Sequence, residues 1–72
     1  GAVMSDVTNP QRAVWAATAL ITFREQTGCD FEDVLGDLLC DLMHWAVFAR
    51  FDFEAALDRA RDHFQQEVAE CR

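Results

Sequence analysis

The chain of 72 residues is long enough for one domain at most, and a hydrophobic content of 51% is high for so small a body. Thirteen acidic residues against six arginines and no lysine give a net charge of −7, which disfavours direct binding to nucleic-acid phosphates and to anionic membranes. No apolar run reaches the roughly 20 residues that span a bilayer, and no signal peptide is visible, so we expect a cytoplasmic protein.

The domain organisation predicted from the sequence is simple. Residues 1–3 precede Met4 and are interpreted as an expression remnant, within a flexible N-terminus over 1–9. Residues 10–72 are predicted to form a single helical domain. The three cysteines are odd in number and lack a C-x-x-C spacing, so they are predicted to be free thiols in a reducing compartment.

The first helix is predicted over about 10–27. Thr8 and Asn9 are candidate caps, Pro10 suits the first helical position, and Gly28 suits the left-handed residue that ends a helix. Only three charged side chains fall within the helix, which is therefore apolar nearly all round, as buried helices are. Three helices of this size would leave one side of it exposed, so we expect this helix to lie in a subunit interface. The residues expected there are Val14, Trp15 and Ile21.

The second helix, predicted over about 31–49, carries the strongest core stripe because its apolar residues repeat every three or four positions. Asp30 is placed to cap it. Gly36 costs the helix about 1 kcal/mol relative to alanine, which indicates close approach of another backbone, most simply the first helix. A second patch lies off the main stripe and is predicted to be an interface, or alternatively the wall of an apolar pocket. This patch consists of Met43, Val47 and Phe48.

The third helix is predicted over about 53–70, with Asp52 as its cap. One face of this helix is apolar, and the face opposite to it is charged and solvated, with an Asp58–Arg61 pair at i,i+3 spacing. The predicted fold is therefore an all-α three-helix bundle, with its core completed in a homodimer or a higher oligomer. The residues of the third helix predicted to be buried are Phe53, Ala56, Leu57, Ala60, Phe64 and Val68.

One row of residues suggests chemistry. Asp33, Asp37 and Asp41 repeat every four positions on one helix face, with no basic residue interleaved. Carboxylates without basic partners are typical ligands of Mg²⁺ or Mn²⁺, although a solvated acidic face is the commoner outcome. His44 follows three residues after Asp41 and is expected to bond to a nearby carboxylate. A zinc site, or a nucleophile formed by Cys40 with His44, is a less favoured alternative.

Two segments resemble a known family. Residues 34–46 read VLGDLLCDLMHWA and residues 51–64 read FDFEAALDRARDHF. This order resembles the end of the MazG-type all-α nucleoside triphosphate pyrophosphohydrolases. In that family a G-D-L-L segment on a metal-binding helix leads through a short loop to a D-x-E-x-A-L-x-x-A-x-x-x-F helix. The resemblance implies a helical, side-by-side dimer.

The metal-binding motifs of that family are incomplete here. Asp37 matches the final Asp of its E-x-x-D motif, but Val34 stands where the Glu belongs. The other motif, E-x-x-E, is missing from residues 10–27. The resemblance therefore does not imply an intact Mg²⁺ site. Under the enzymatic alternative, Asp37 and Asp41 of the acidic row are expected to hold Mg²⁺, and His44 is expected to contact the substrate. No catalytic residue is assigned and no cofactor is expected otherwise.

These observations favour one function and leave two others open. The favoured interpretation is a small cytoplasmic, oligomeric interaction module, a degenerate MazG-like chain suited to an accessory or mobile-element gene, with an unknown protein partner. The first alternative is a Mg²⁺-dependent nucleotide pyrophosphohydrolase or nucleotide-binding protein. The second is an acidic protein that mimics phosphates and binds a basic partner.

Overall fold

A computed structural model describes residues 7–70, which form three α-helices and contain no strand. α1 spans Asn9–Thr27, α2 spans Val34–Ala49 and α3 spans Phe53–Glu70. A 3₁₀ turn over Phe31–Asp33 precedes α2. The predicted all-α, three-helix fold is confirmed. The predicted expression remnant and most of the predicted flexible N-terminus fall outside the described residues.

Both ends of α1 form as the sequence predicts. Thr8 is the cap: its side chain accepts a hydrogen bond from the Gln11 amide at 3.3 Å, and the Gln11 side chain accepts one from the Thr8 amide at 3.0 Å. This reciprocal capping box satisfies two amides that the helix itself leaves free. Gly28 ends the helix at φ 73°, and its amide donates to the Arg24 carbonyl at 2.7 Å.

The connection from α1 to α2 departs from the prediction at Asp30. Its side chain makes no capping hydrogen bond, because the Asp33 amide that it would cap donates instead to the Asp30 carbonyl at 3.0 Å. The chain thus makes a 3₁₀ turn first, and α2 begins only at Val34. Arg24 stabilises this connection: its Nε donates to the Cys29 carbonyl at 3.3 Å, and its guanidinium lies 5.5 Å from the centre of the Phe31 ring.

The connection from α2 to α3 is a tight turn. Arg50 adopts the left-handed conformation at φ 64°, and the Phe51 amide donates to the Ala46 carbonyl at 2.9 Å, which closes the end of α2. The Phe51 ring stacks on Trp45, with 5.2 Å between ring centres. Asp52 caps α3 as predicted, since its side chain accepts from the Ala55 amide at 3.0 Å.

The interior of the single chain is small. Among the described residues only Val34 and Ala46 are buried, at 5% and 4% exposure. No residue of α1 is buried in the chain. The predicted burial of the apolar stripe of α3 is wrong for four of its six residues. Phe53 and Leu57 are half-buried, and the other four are exposed. The exposed residues are Ala56, Ala60, Phe64 and Val68.

The open packing follows from where the helices touch. α1 meets α3 near their ends, where Asn9 and Arg12 contact Glu67. An apolar cavity of 290 Å³ lies beside this contact and is lined in part by Ala13, Phe64 and Val68. The predicted close approach of α1 to Gly36 is also wrong within the chain, because a Cβ added there would meet nothing within 4 Å. Within the described part of the chain, the apolar stripes are therefore left largely without a covering layer.

Candidate functional site

α1 presents an exposed apolar face, as the interface prediction requires. Its residues Val14, Trp15 and Ile21 are all exposed. The hydroxyls of Thr18 and Thr22, on the same face, donate to the carbonyls four residues earlier at 3.1 Å. Because these hydroxyls are bonded within the helix, the threonines offer mainly their methyl groups to a partner.

α2 presents a second exposed apolar surface, which we call the outer face of α2. Gly36, Leu39, Met43 and Val47 define it, and their spacing of three and four residues places them in one row along the helix. All four are exposed, Val47 to 76%. Phe48 is exposed to 87% but projects about 100° away from Val47 around the helix axis. The predicted patch of three residues therefore divides between two sides of α2.

An apolar cavity of 310 Å³ opens between α2 and α3. The stacked rings of Trp45 and Phe51 contribute to its wall. Such a cavity suits an apolar side chain or ligand, because the chain supplies few polar groups to orient anything else. The remaining lining residues are Leu42, Ala46, Asp52, Phe53 and Ala56.

The acidic row is only partly brought together. Asp37 and Asp41 line a shallow cavity of 200 Å³ with Cys40, opposite Phe23 and Thr27 of α1. No basic side chain lines this cavity. Asp33 and His44 are exposed but are not among its lining residues, so the contact between His44 and a substrate stays a prediction.

These residues do not form a complete metal site in one chain. Across residues 7–70, no group of three or more His, Cys, Asp or Glu side chains is arranged to hold a metal ion. Mg²⁺ in nucleotide enzymes is commonly held by one or two carboxylates, with the substrate's phosphates and water completing the octahedron. Binding of Mg²⁺ by Asp37 and Asp41 therefore stays a prediction.

Phe23 and Thr27 are contributors to this cavity that the sequence interpretation missed. They are spaced four residues apart, so they share one face of α1 and could have been paired from the sequence. What the sequence does not reveal is that this face meets the acidic side of α2. The Arg12–Glu67 ion pair was missed for the same reason, since the two residues lie on different helices.

Comparisons with known proteins yield no relative. No family model matches the chain, and no curated protein and no solved structure matches it either. None of the helices in residues 7–70 combines the length and the apolar character needed to cross a bilayer.

Proposed function

We propose that this protein is a small cytoplasmic helical module that works by self-association, most simply as a homodimer, and that it carries no catalytic machinery of its own. One observation carries the proposal. Among residues 7–70 only Val34 and Ala46 are buried, so the apolar stripes of all three helices are left largely uncovered. Burial between subunits is the simplest way to cover them.

The chemistry of the exposed surface supports association with protein. Fourteen large hydrophobic side chains are exposed in residues 7–70, including two tryptophans. Exposed apolar surface is unfavourable in water by about 25 cal/mol per Å², so covering these side chains with another protein would stabilise the chain. The residues expected in the interface lie on α1 and α2, and they are Val14, Trp15, Ile21, Met43, Val47 and Phe48.

Sedimentation equilibrium at micromolar concentration tests this proposal. We expect a mass at least twice the 8.2 kDa of one chain. Ile21→Glu should weaken association because it places a charge in the α1 face, whereas Gln66→Glu adds the same charge to the exposed side of α3 and should leave the mass unchanged. A single species of 8.2 kDa for the unaltered protein would overturn the proposal.

The lineage proposed for this module is a degenerate MazG-like one, from an accessory or mobile-element gene. The resemblance in residues 34–46 and 51–64 supports it. Both segments fall on elements of the type that the family's pattern requires: the first on α2, the second on the turn and on α3. The loss of the family's carboxylates at Val34 and throughout residues 10–27 agrees with a chain that has kept the architecture without the chemistry.

A second candidate function is a Mg²⁺-dependent nucleotide pyrophosphohydrolase or nucleotide-binding protein. The observation that favours it is the shared cavity of Asp37 and Asp41 beside Thr27. The test is release of pyrophosphate from a panel of nucleoside triphosphates with Mg²⁺ or Mn²⁺. Turnover that Asp37→Ala abolishes, and that Asp62→Ala on α3 leaves intact, would establish this function and displace the non-enzymatic one.

A further inference from the structure

The outer face of α2 is an uncharged row that nothing in residues 7–70 covers. Gly36, Leu39, Met43 and Val47 extend along about 16 Å of helix, or three turns. The nearby ionisable residues Asp37, Asp41 and His44 lie roughly 100° or more around the axis from the centre of the row. A helix surface of this length that faces away from the core usually carries charge, so its absence needs a cause.

Gly36 is the second unexplained feature of this row. It lies within α2 in ordinary helical conformation, because its φ is not positive. A Cβ added there would meet nothing within 4 Å. In an exposed helix interior, alanine would be about 1 kcal/mol more favourable than glycine. Nothing within residues 7–70 therefore accounts for a glycine at this point, whereas a backbone or side chain from another molecule would.

We propose that α2 of a second copy of this chain packs antiparallel across this face, with Val47 of each copy seated over Gly36 of the other. Leu39 then lies opposite Met43 of the partner, and the twofold axis passes near the middle of the row. This inference rests on the proposed self-association and names the part of the interface that α2 contributes.

The row is complementary to itself in only one direction. An antiparallel pair places the protruding Val47, exposed to 76%, against the gap at Gly36, and does so twice by symmetry. A parallel pair would set gap against gap and protrusion against protrusion. The charge of the chain also favours this surface for contact between two copies. Two chains of −7 repel each other, and the repulsion is smallest where the contact surface has no acidic residue. The outer face of α2 has none.

Substitutions at Gly36 test the contact. Replacing an exposed helical glycine normally stabilises a protein, whereas the proposal expects a larger side chain at this position to weaken dimerisation. Gly36→Leu should weaken dimerisation roughly tenfold or more, since the added side chain meets Val47 of the partner. Adding Val47→Ala should restore much of the affinity by making room. Gln65→Leu, which places a leucine on the exposed face of α3, should change nothing. Unchanged dimerisation of Gly36→Leu would overturn the proposal.

Cysteine cross-linking tests whether the two α2 helices pack antiparallel or parallel. In a background that replaces all three native cysteines by serine, a Gly36→Cys chain mixed with a Val47→Cys chain should give a disulfide-linked dimer, and neither chain alone should. Cross-links within each chain type alone would indicate parallel packing and overturn the proposal. A dimer by mass without the mixed cross-link would overturn this contact yet keep self-association. A monomer by mass would overturn both.

Discussion

The Nε atom of Arg12 lies 3.2 Å from a carboxylate oxygen of Glu67, and this ion pair joins the first turns of α1 to the end of α3. Arg12 also donates to the Asn9 side chain at 3.0 Å and to the Val7 carbonyl at 3.3 Å. Asn9 in turn donates to the Glu67 carbonyl at 3.2 Å, across 58 residues of sequence. This small polar network joins the start of α1 to the last turns of α3.

Loss of the Glu67 carboxylate should therefore destabilise the fold slightly. We expect Glu67→Gln to lower the free energy of unfolding by about 0.5–1 kcal/mol, since both side chains are partly exposed and water screens the pair. Urea unfolding followed by tryptophan fluorescence at fixed protein concentration measures this. The control is Asp58→Asn, which removes an exposed pair within α3 at 3.4 Å and should cost almost nothing. Equal effects of the two substitutions would contradict the role given to the network.

The two candidate caps, Asp30 and Asp52, should differ in their contribution. Asp52→Ala removes a hydrogen bond to the Ala55 amide, so it should cost about 1 kcal/mol of stability. Asp30→Ala removes no capping hydrogen bond and should cost much less. Thermal unfolding by circular dichroism compares the two variants directly. A larger loss at Asp30 would show that the 3₁₀ turn before α2 is not how this connection folds in solution.

Arg50 should be replaceable with a gain in stability. It ends α2 in the left-handed conformation, at φ 64°, which disfavours any residue with a Cβ. We expect Arg50→Gly to raise the free energy of unfolding by up to about 1 kcal/mol, after allowing for the greater freedom of glycine in the unfolded chain. Arg59→Gly, in the middle of α3, provides the opposite control and should destabilise by a similar amount. Loss of stability in Arg50→Gly would indicate that its side chain contributes a contact of its own.

Dimerisation should tighten as salt is added, because salt screens the repulsion between two negatively charged chains. Each chain carries −7, so two copies repel at low ionic strength. Raising sodium chloride from 20 to 300 mM, on the order of a fourfold shorter Debye length, should tighten dimerisation. Sedimentation velocity across this range checks the trend. Weaker association at high salt would indicate ion pairs across the interface instead of the uncharged face described for α2.

The helix boundaries were largely predictable because their signals act over four residues or fewer. The capping bonds form as the local sequence favours in three places: between Thr8 and Gln11, at Gly28, and between Asp52 and Ala55. Asp30 was the exception, because a backbone carbonyl competes with its side chain for the same amide. That competition depends on how the chain turns after Gly28, which residue preferences alone do not determine.

The candidate site was less predictable, because it depends on which helix faces meet. Asp37 and Asp41 could be placed on one side of α2, but Phe23 and Thr27 as their neighbours could not. In the same way, Phe64 fits the stripe of α3 but remains exposed in one chain. Periodicity shows that a residue belongs to an apolar face and does not show what covers that face.

Gly36 shows the difference between what the sequence determines and what the tertiary structure decides. The sequence by itself determined three helices, their caps, and an apolar content too large for a body of 72 residues, because propensity, capping and composition are local or additive properties. Only the tertiary structure decided that Val34 and Ala46 alone are buried in residues 7–70 and that Gly36 faces open space. Burial depends on distances between helices, and those distances leave the outer face of α2 uncovered by the other two helices.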